Sequence, residues 1–190
     1  MEEKKNISTK KAINNAAIKL FSQKGFDGVG MREIAKKADI AVSVLYYYYT
    51  NKEAMYKEIV YDYFEEILTG SKEFLEKNSD KNFKKSIIEL LKLFNNLPKR
   101  KKRILKIAIY EIQGFGKNNV LRKNLRKLFK EHEFIFFHLF ESRSTDRKKS
   151  FAASRVLFTY VTSKISDIIL KNSFQQDSIS DDLDIIINYQ

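Results

Sequence analysis

GFDGVGMREIAKKADIAVSVLYYYYTNKE, residues 25–53, reads as two short helices joined by a tight turn, with four consecutive tyrosines in the second. Met31, Ile34, Ala35 and Ala38 recur at helical spacing and predict a helix over about 31–38. Asp39 falls in the turn, where a short polar side chain tolerates left-handed geometry. A second helix follows over about 41–49. At about 100° per residue, Ala41, Leu45, Tyr48 and Tyr49 cluster on one side and are expected to be buried, while Ser43, Tyr46 and Tyr47 point away and Val42 and Val44 flank the exposed face. Packing alone accounts for Tyr48 and Tyr49 but not for Tyr46 and Tyr47. Outward aromatic hydroxyls beside basic residues are suited to touching a phosphate backbone.

Upstream, Ile13, Ala16, Ala17, Leu20 and Phe21 share one face of a helix over about 8–24, which Gly25 ends, with Phe26 folding back as the contact that accompanies such a stop. The three helices form a helix-turn-helix braced by the first, and in that motif the second helix of the pair enters the major groove. Thr50-Asn51-Lys52-Glu53 offers a cap for the next helix, as a Thr50/Glu53 box or an Asn51 cap.

The whole chain is expected to be all-α. Its 190 residues hold one proline and six glycines, so helix breakers are scarce. No cysteine is present, which excludes disulfides and thiol catalysis. No apolar run approaches the roughly 18–20 residues that cross a bilayer, and MEEKKNISTKK is charged with no apolar core behind it. A cytoplasmic protein with no membrane partner is therefore expected. The net charge of +12 favours a polyanion.

Further helices are expected over about 52–77 (softened at Gly70), 81–96, 98–113, 120–141, 147–171 and 181–189, about nine in all. Phe83, Ile87, Leu90, Leu91 and Phe94 form the apolar face of the 81–96 helix. A change of role near residue 52 divides the chain into residues 1–51, the helix-turn-helix domain, and residues 52–190.

LFSQKGF, MREIAKKADI and VLYYYYTNKEAM resemble the tetracycline-repressor-like (TetR) family of bacterial transcription regulators over about residues 7–60. The Leu-Tyr-X-Tyr run followed by Asn-Lys-Glu is the most specific of these elements. The resemblance implies an all-α homodimer with an N-terminal DNA-binding domain and a C-terminal helical domain that binds a small-molecule effector and dimerises through its last two long helices. By position it implies phosphate contacts from Arg32, Tyr46, Tyr47 and Lys52, and base-edge contacts from Val42, Ser43 and Val44. The chain departs from the family where Gly28-Val29-Gly30 stands in place of the usual Ser or Thr, and where Ala41 and Val42 stand in place of polar residues. With fewer polar groups facing the bases, readout is expected to lean on thymine methyls through Val42 and Val44.

If the family reading holds, some of Phe94, Ile107, Tyr110, Phe115, Phe134, Phe137, His138 and Phe158 line an effector cavity; ordinary core is the competing assignment for each. The 147–171 helix is apolar over a wider sector than one core requires. Phe151, Val156, Tyr160, Val161, Ile165 and Ile168, with Leu183 and Ile186, are expected to form a two-fold dimer surface. His132 and His138 lie six apart and lack metal-binding spacing. No metal, no cofactor and no nucleophile–base pair is expected, hence no enzyme. The basic run PKRKKR is open to three readings: a solvated face, an extension of the field facing DNA, or an attractor for an anionic effector. The expected function is a ligand-responsive regulator, a repressor released from a palindromic operator by its effector. The alternatives are an accessory or architectural DNA-binding protein without effector, or a helical interaction module.

Overall fold

The computed structural model describes residues 2–78, 82–114, 119–141 and 147–188; within them the side chains of 2–5, 119, 134–136, 139–141, 147 and 188 are left aside. Every regular element among the described residues is helical. In chain order these are α1 (Glu2–Lys24), α2 (Met31–Ala38), α3 (Val42–Tyr48), α4 (Lys52–Tyr56), a π-helical turn (Lys57–Tyr61), α5 (Asp62–Asn78), α6 (Phe83–Asn95), α7 (Lys99–Gln113), α8 (Asn119–Glu141), α9 (Arg147–Lys171) and α10 (Gln176–Asn188). None is long and apolar enough to cross a membrane. The all-α expectation is met. Gly70 does not interrupt α5, and α10 begins five residues before the expected start, with Ile179 buried in its first turn.

The chain divides into two compact units: residues 1–65 with 98–125, and residues 66–97 with 126–190. These units record packing, whereas a division at 51/52 records a change of role.

The first unit is built on α1. Ile13, Ala16, Ala17, Leu20 and Phe21 are buried as the periodicity requires, and Ile18 joins them. Gly25 has φ +70°, and its N–H donates to the Phe21 carbonyl at 3.0 Å. Phe26 then folds back: its ring lies 6.0 Å from Phe21 and 5.0 Å from Tyr56, whose ring is 5.4 Å from Phe21. Gly28 is fixed by space, since a Cβ there would stand 2.5 Å from the Lys24 carbonyl oxygen. α2 stops at Asp39, left-handed at φ 57°, and the Ile40 N–H reaches back to the Ala35 carbonyl at 3.1 Å. α7 packs against α1 and against the π-helical turn.

The second unit holds α6 against α9 and α10. Asn82 caps α6, accepting from the Lys85 N–H at 2.9 Å. The expected apolar face of α6 (Phe83, Ile87, Leu90, Leu91 and Phe94) is buried in full. The Tyr160 hydroxyl of α9 donates to Asp182 of α10 at 2.8 Å, and Lys164 pairs with the same carboxylate at 3.3 Å.

Candidate nucleic-acid interface

α3 has one locked face and one open face. Leu45 is fully buried and Tyr49 nearly so, while Tyr46 is 51% and Tyr47 77% exposed. Ser43 and Val44 are exposed too, and Val42 and Tyr48 are half-buried. Ala41 departs from its expected place: it is exposed, because it is the N-cap with extended backbone (ψ 146°) and the helical angle does not extend to it. No side chain caps α2 or α3, in keeping with Gly30 and Ala41 at their starts.

The locked face is held by hydroxyls as well as by packing. The Tyr49 hydroxyl lies 2.7 Å from Asn14 Oδ1 on α1 and 2.9 Å from Glu58 Oε1 in the π-helical turn. Lys10 closes the group, with Nζ 3.1 Å from Glu58 Oε2 and 5.6 Å from the centre of the Tyr49 ring. Burial, and then the Glu58 hydrogen bond, push the Tyr49 hydroxyl well above the usual tyrosine range, so it remains a donor at any physiological pH. The Tyr48 hydroxyl donates to the Asn6 carbonyl at 3.3 Å, and its ring meets that of Tyr47 edge-on at 5.3 Å. The outward tyrosines are thus mounted on a helix that cannot roll without breaking these bonds. Lys10, Asn14 and Glu58 had no sequence signal, because they are distant from Tyr49 along the chain and only the fold brings them together.

Lys52 has a task that sequence reading missed. Its Nζ donates to the carbonyls of Phe26 at 2.8 Å and Val29 at 3.0 Å, and sits 4.2 Å above the Phe26 ring. The ammonium clamps the α1–α2 loop from inside, and an ammonium has three donors, so one stays available for a phosphate. Asn51 settles the cap of α4, accepting from the Ala54 N–H at 2.7 Å, in place of the Thr50/Glu53 box. Arg32 is exposed on α2.

The segment with this geometry is the one that matches known proteins. Residues 13–59 match the family of bacterial regulatory proteins, tetR family. The N-terminal domain of this chain belongs to the tetR family. It is 42% identical over 59 residues to the probable HTH-type transcriptional regulator YttP of Bacillus subtilis, covering 31% of this chain and 28% of that one. It is 41% identical over 73 residues to IcaR of Staphylococcus epidermidis, the HTH-type negative transcriptional regulator of the biofilm operon icaADBC, covering 38% of this chain and 37% of that one. The match therefore spans about a third of the length of these curated relatives. A transcriptional regulator (TerR/AcrR family) from Aquifex aeolicus has the same fold: its crystal structure superposes with a TM-score of 0.66 at 20% identity, covering 92% of this chain and 95% of that one.

Beyond the tetR-family domain, the candidate effector residues scatter. Phe94 lines a cavity of about 210 Å³ in the second unit, walled by Ile67, Phe74, Leu90, Leu93 and Leu97, with Glu66, Gly70 and Ser71 completing it. Phe158 is buried and stacks obliquely on Phe129 at 5.0 Å; Phe137 meets Phe151 edge-on at 5.5 Å and lies 5.6 Å from the exposed His138. None of these lines that cavity. Ile107 and Tyr110 belong to the first unit, Ile107 in its core and Tyr110 on the outward side of α7, 37% exposed. Phe115 and the Phe134 side chain lie outside the described residues.

The candidate dimer residues divide as well. Phe151 and Val156 are exposed, and Tyr160, Ile165 and Ile186 are half-buried. Val161, Ile168 and Leu183 are not outward-facing as expected: they are buried in the core of their own unit, because the broad apolar sector of α9 serves an internal face along part of its width. Among the described residues no cluster of three His, Cys, Asp or Glu side chains can hold a metal, and His132 is engaged with the Leu128 carbonyl at 2.9 Å.

Proposed function

We propose that this protein is a DNA-binding transcriptional regulator, acting as a repressor, whose α3 enters the major groove. The observation that carries the reading is the open face of α3: Ser43, Val44, Tyr46 and Tyr47 stand exposed on a helix whose opposite side is pinned by Leu45 and Tyr49. Tyr46 and Tyr47 donate to phosphates, with Arg32 and the third donor of Lys52; Val44, with Val42 beside it, meets thymine methyls. A homodimer presents two such helices to successive major grooves of a palindromic operator, about 34 Å apart. Phe151 and Val156 supply exposed apolar area for that pairing. A small apolar effector entering the Phe74–Leu90–Phe94 cavity favours one placement of the reading helices and releases the operator.

Duplexes selected by the protein from a random pool provide the test. They should bind, should carry A·T pairs under Val44, and should show two-fold symmetry. Tyr47→Ala should weaken binding about tenfold, the loss of one charge-assisted hydrogen bond of about 1.5 kcal/mol, while leaving the melting temperature unchanged. Absence of duplex binding, or full affinity in Tyr47→Ala, defeats the reading. The effector step is tested separately: apolar compounds that raise the melting temperature should also loosen the operator.

A further inference from the structure

The positive charge of this chain is concentrated in one unit. Residues 1–65 and 98–125 hold 20 of the 36 basic residues and 10 of the 24 acidic ones, a net of +10 out of +12. Residues 98–125 are the main cause, with nine basic residues and a single acid, Glu111. Glu111 is buried at 3% exposure, so its carboxylate offers the surface little counter-charge. The rest of the excess does not come from the tyrosine helix, since Val42–Tyr48 contains no charged residue.

The charge has a definite place on α7. Ile104, Leu105, Ile107, Ala108 and Glu111 are buried and define its inner side. At 100° per residue the opposite side carries Lys99, Lys102, Arg103, Lys106 and Tyr110, the positions i, i+3, i+4, i+7 and i+11. Lys99 and Arg103 are exposed, and Lys106 lies 5.4 Å from the centre of the Tyr110 ring. Cations crowded into the first turn of a helix work against its dipole. Nothing acidic in that turn offsets them. The turn is also held still. Arg100 Nε donates to Asn15 Oδ1 of α1 at 3.1 Å, and Lys101 sits 5.4 Å from the centre of the Tyr63 ring. The field of Arg100 reaches the Tyr49 hydroxyl at the end of α3. A row of cations with an aromatic hydroxyl, on an open surface and tied to the reading helix through Tyr49, Asn14 and the adjoining Asn15, complements a linear polyanion better than a small anion.

We propose that the outward face of α7, with Lys99, Lys102, Arg103, Lys106 and Tyr110, is a second DNA-backbone surface that binds phosphates beyond the base pairs touched by α3. The proposal rests on the DNA-binding reading above and gives the basic run a role within it. Binding of this kind carries no sequence information. It adds affinity, and each phosphate engaged steepens the dependence on salt by about 0.9 in the log–log slope.

The experiment compares the full-length wild type with the double variant K99Q/R103Q on two duplexes of one selected sequence, one trimmed to the protected core and one extended by a helical turn of about 10 bp at each end. Affinity is measured across a potassium chloride series, with thermal melting of each variant as the control for folding. On the extended duplex the wild type should show the steeper slope, and K99Q/R103Q should flatten it by about 0.9 for each phosphate no longer engaged. On the trimmed duplex the two proteins should coincide. K106Q, a single change further along the same face, should flatten the extended-duplex slope in the same sense. Equal slopes for wild type and variants on the extended duplex would overturn the proposal and return this face to solvent. If Tyr47→Ala still weakens binding in that case, α3 reading stands and only the α7 surface fails. If the wild type binds neither duplex, both readings fall.

Discussion

The two compact units of this chain solve folding by different means. In the first, polar atoms do much of the pinning: Tyr49 on Asn14 and Glu58, Lys52 on two loop carbonyls, Arg100 on Asn15. In the second, Phe83, Ile87, Leu91, Leu157, Val161 and Leu183 fill a core by apolar packing, with Tyr160 and Lys164 tying α9 to α10 at one carboxylate. The charge is divided as unevenly, +10 against +2. The contrast explains why the family match stops at residue 59. A helix that must present fixed side chains to a polymer of fixed geometry tolerates few substitutions, whereas an apolar core accepts many combinations of the right volume. The same fold at 20% identity over 92% of the chain is what the second regime permits.

The sharpest way to break this contrast is at Leu45, the one fully buried apolar side chain of α3. Leu45→Ala should cost about 2–5 kcal/mol by chemical denaturation and should weaken DNA binding through loss of fold. An equal loss of affinity with unchanged stability would mean that Leu45 touches DNA and that the two faces of α3 are misassigned. Next is Gly28. Gly28→Ala drives a Cβ against the Lys24 carbonyl oxygen and should cost about 1–3 kcal/mol, while Gly30→Ala, which meets open space, should leave the melting temperature within a degree or two of wild type. Similar losses at both glycines would show that flexibility, and not space, selects them.

Tyr49→Phe removes the hydroxyl from Asn14 and Glu58 and should cost about 1 kcal/mol, since Lys10 still pairs with Glu58. Ile168→Leu, a volume-conserving change in the second core, should cost less than about 1.5 kcal/mol and leave DNA affinity untouched. A larger effect on DNA from Ile168→Leu than from Tyr49→Phe would erase the distinction between the units.

The smallest effect is a pH trend. Burial first, then the charge of Asp27, raise the Glu111 carboxyl above 4.5, with Arg122 pulling in the other direction. A carboxyl that holds its proton more tightly when folded stabilises fully below its unfolded value and loses that contribution as pH rises through the folded one. Glu111→Gln should therefore flatten the stability–pH curve from about pH 4.5 upward. Parallel curves for the two proteins would place the Glu111 carboxylate in a solvated site.

Much of the first unit was legible in the sequence because its signals are local. Gly25, Asp39 and Asn51 act within four residues of themselves, and the angular sorting of Leu45, Tyr46, Tyr47 and Tyr49 needs only a helix. Ala41 was misplaced because a cap residue does not obey the angle of the helix it starts. The Lys52 clamp and the Tyr49–Glu58 bond were invisible, being products of tertiary approach. In the second unit, periodicity marked α6 and α9 but could not say which part of a wide apolar sector meets the chain's own core, so Val161, Ile168 and Leu183 were assigned outward.

The π-helical turn at Lys57–Tyr61 spends an additional residue between α4 and α5. Length there acts as an angular setting. Deleting one residue from those five would restore ordinary winding and swing everything downstream by about a third of a turn, carrying Phe64 off its buried side although no side chain had changed. A single lost codon at that point is therefore a harsher event than most substitutions anywhere along the same helix.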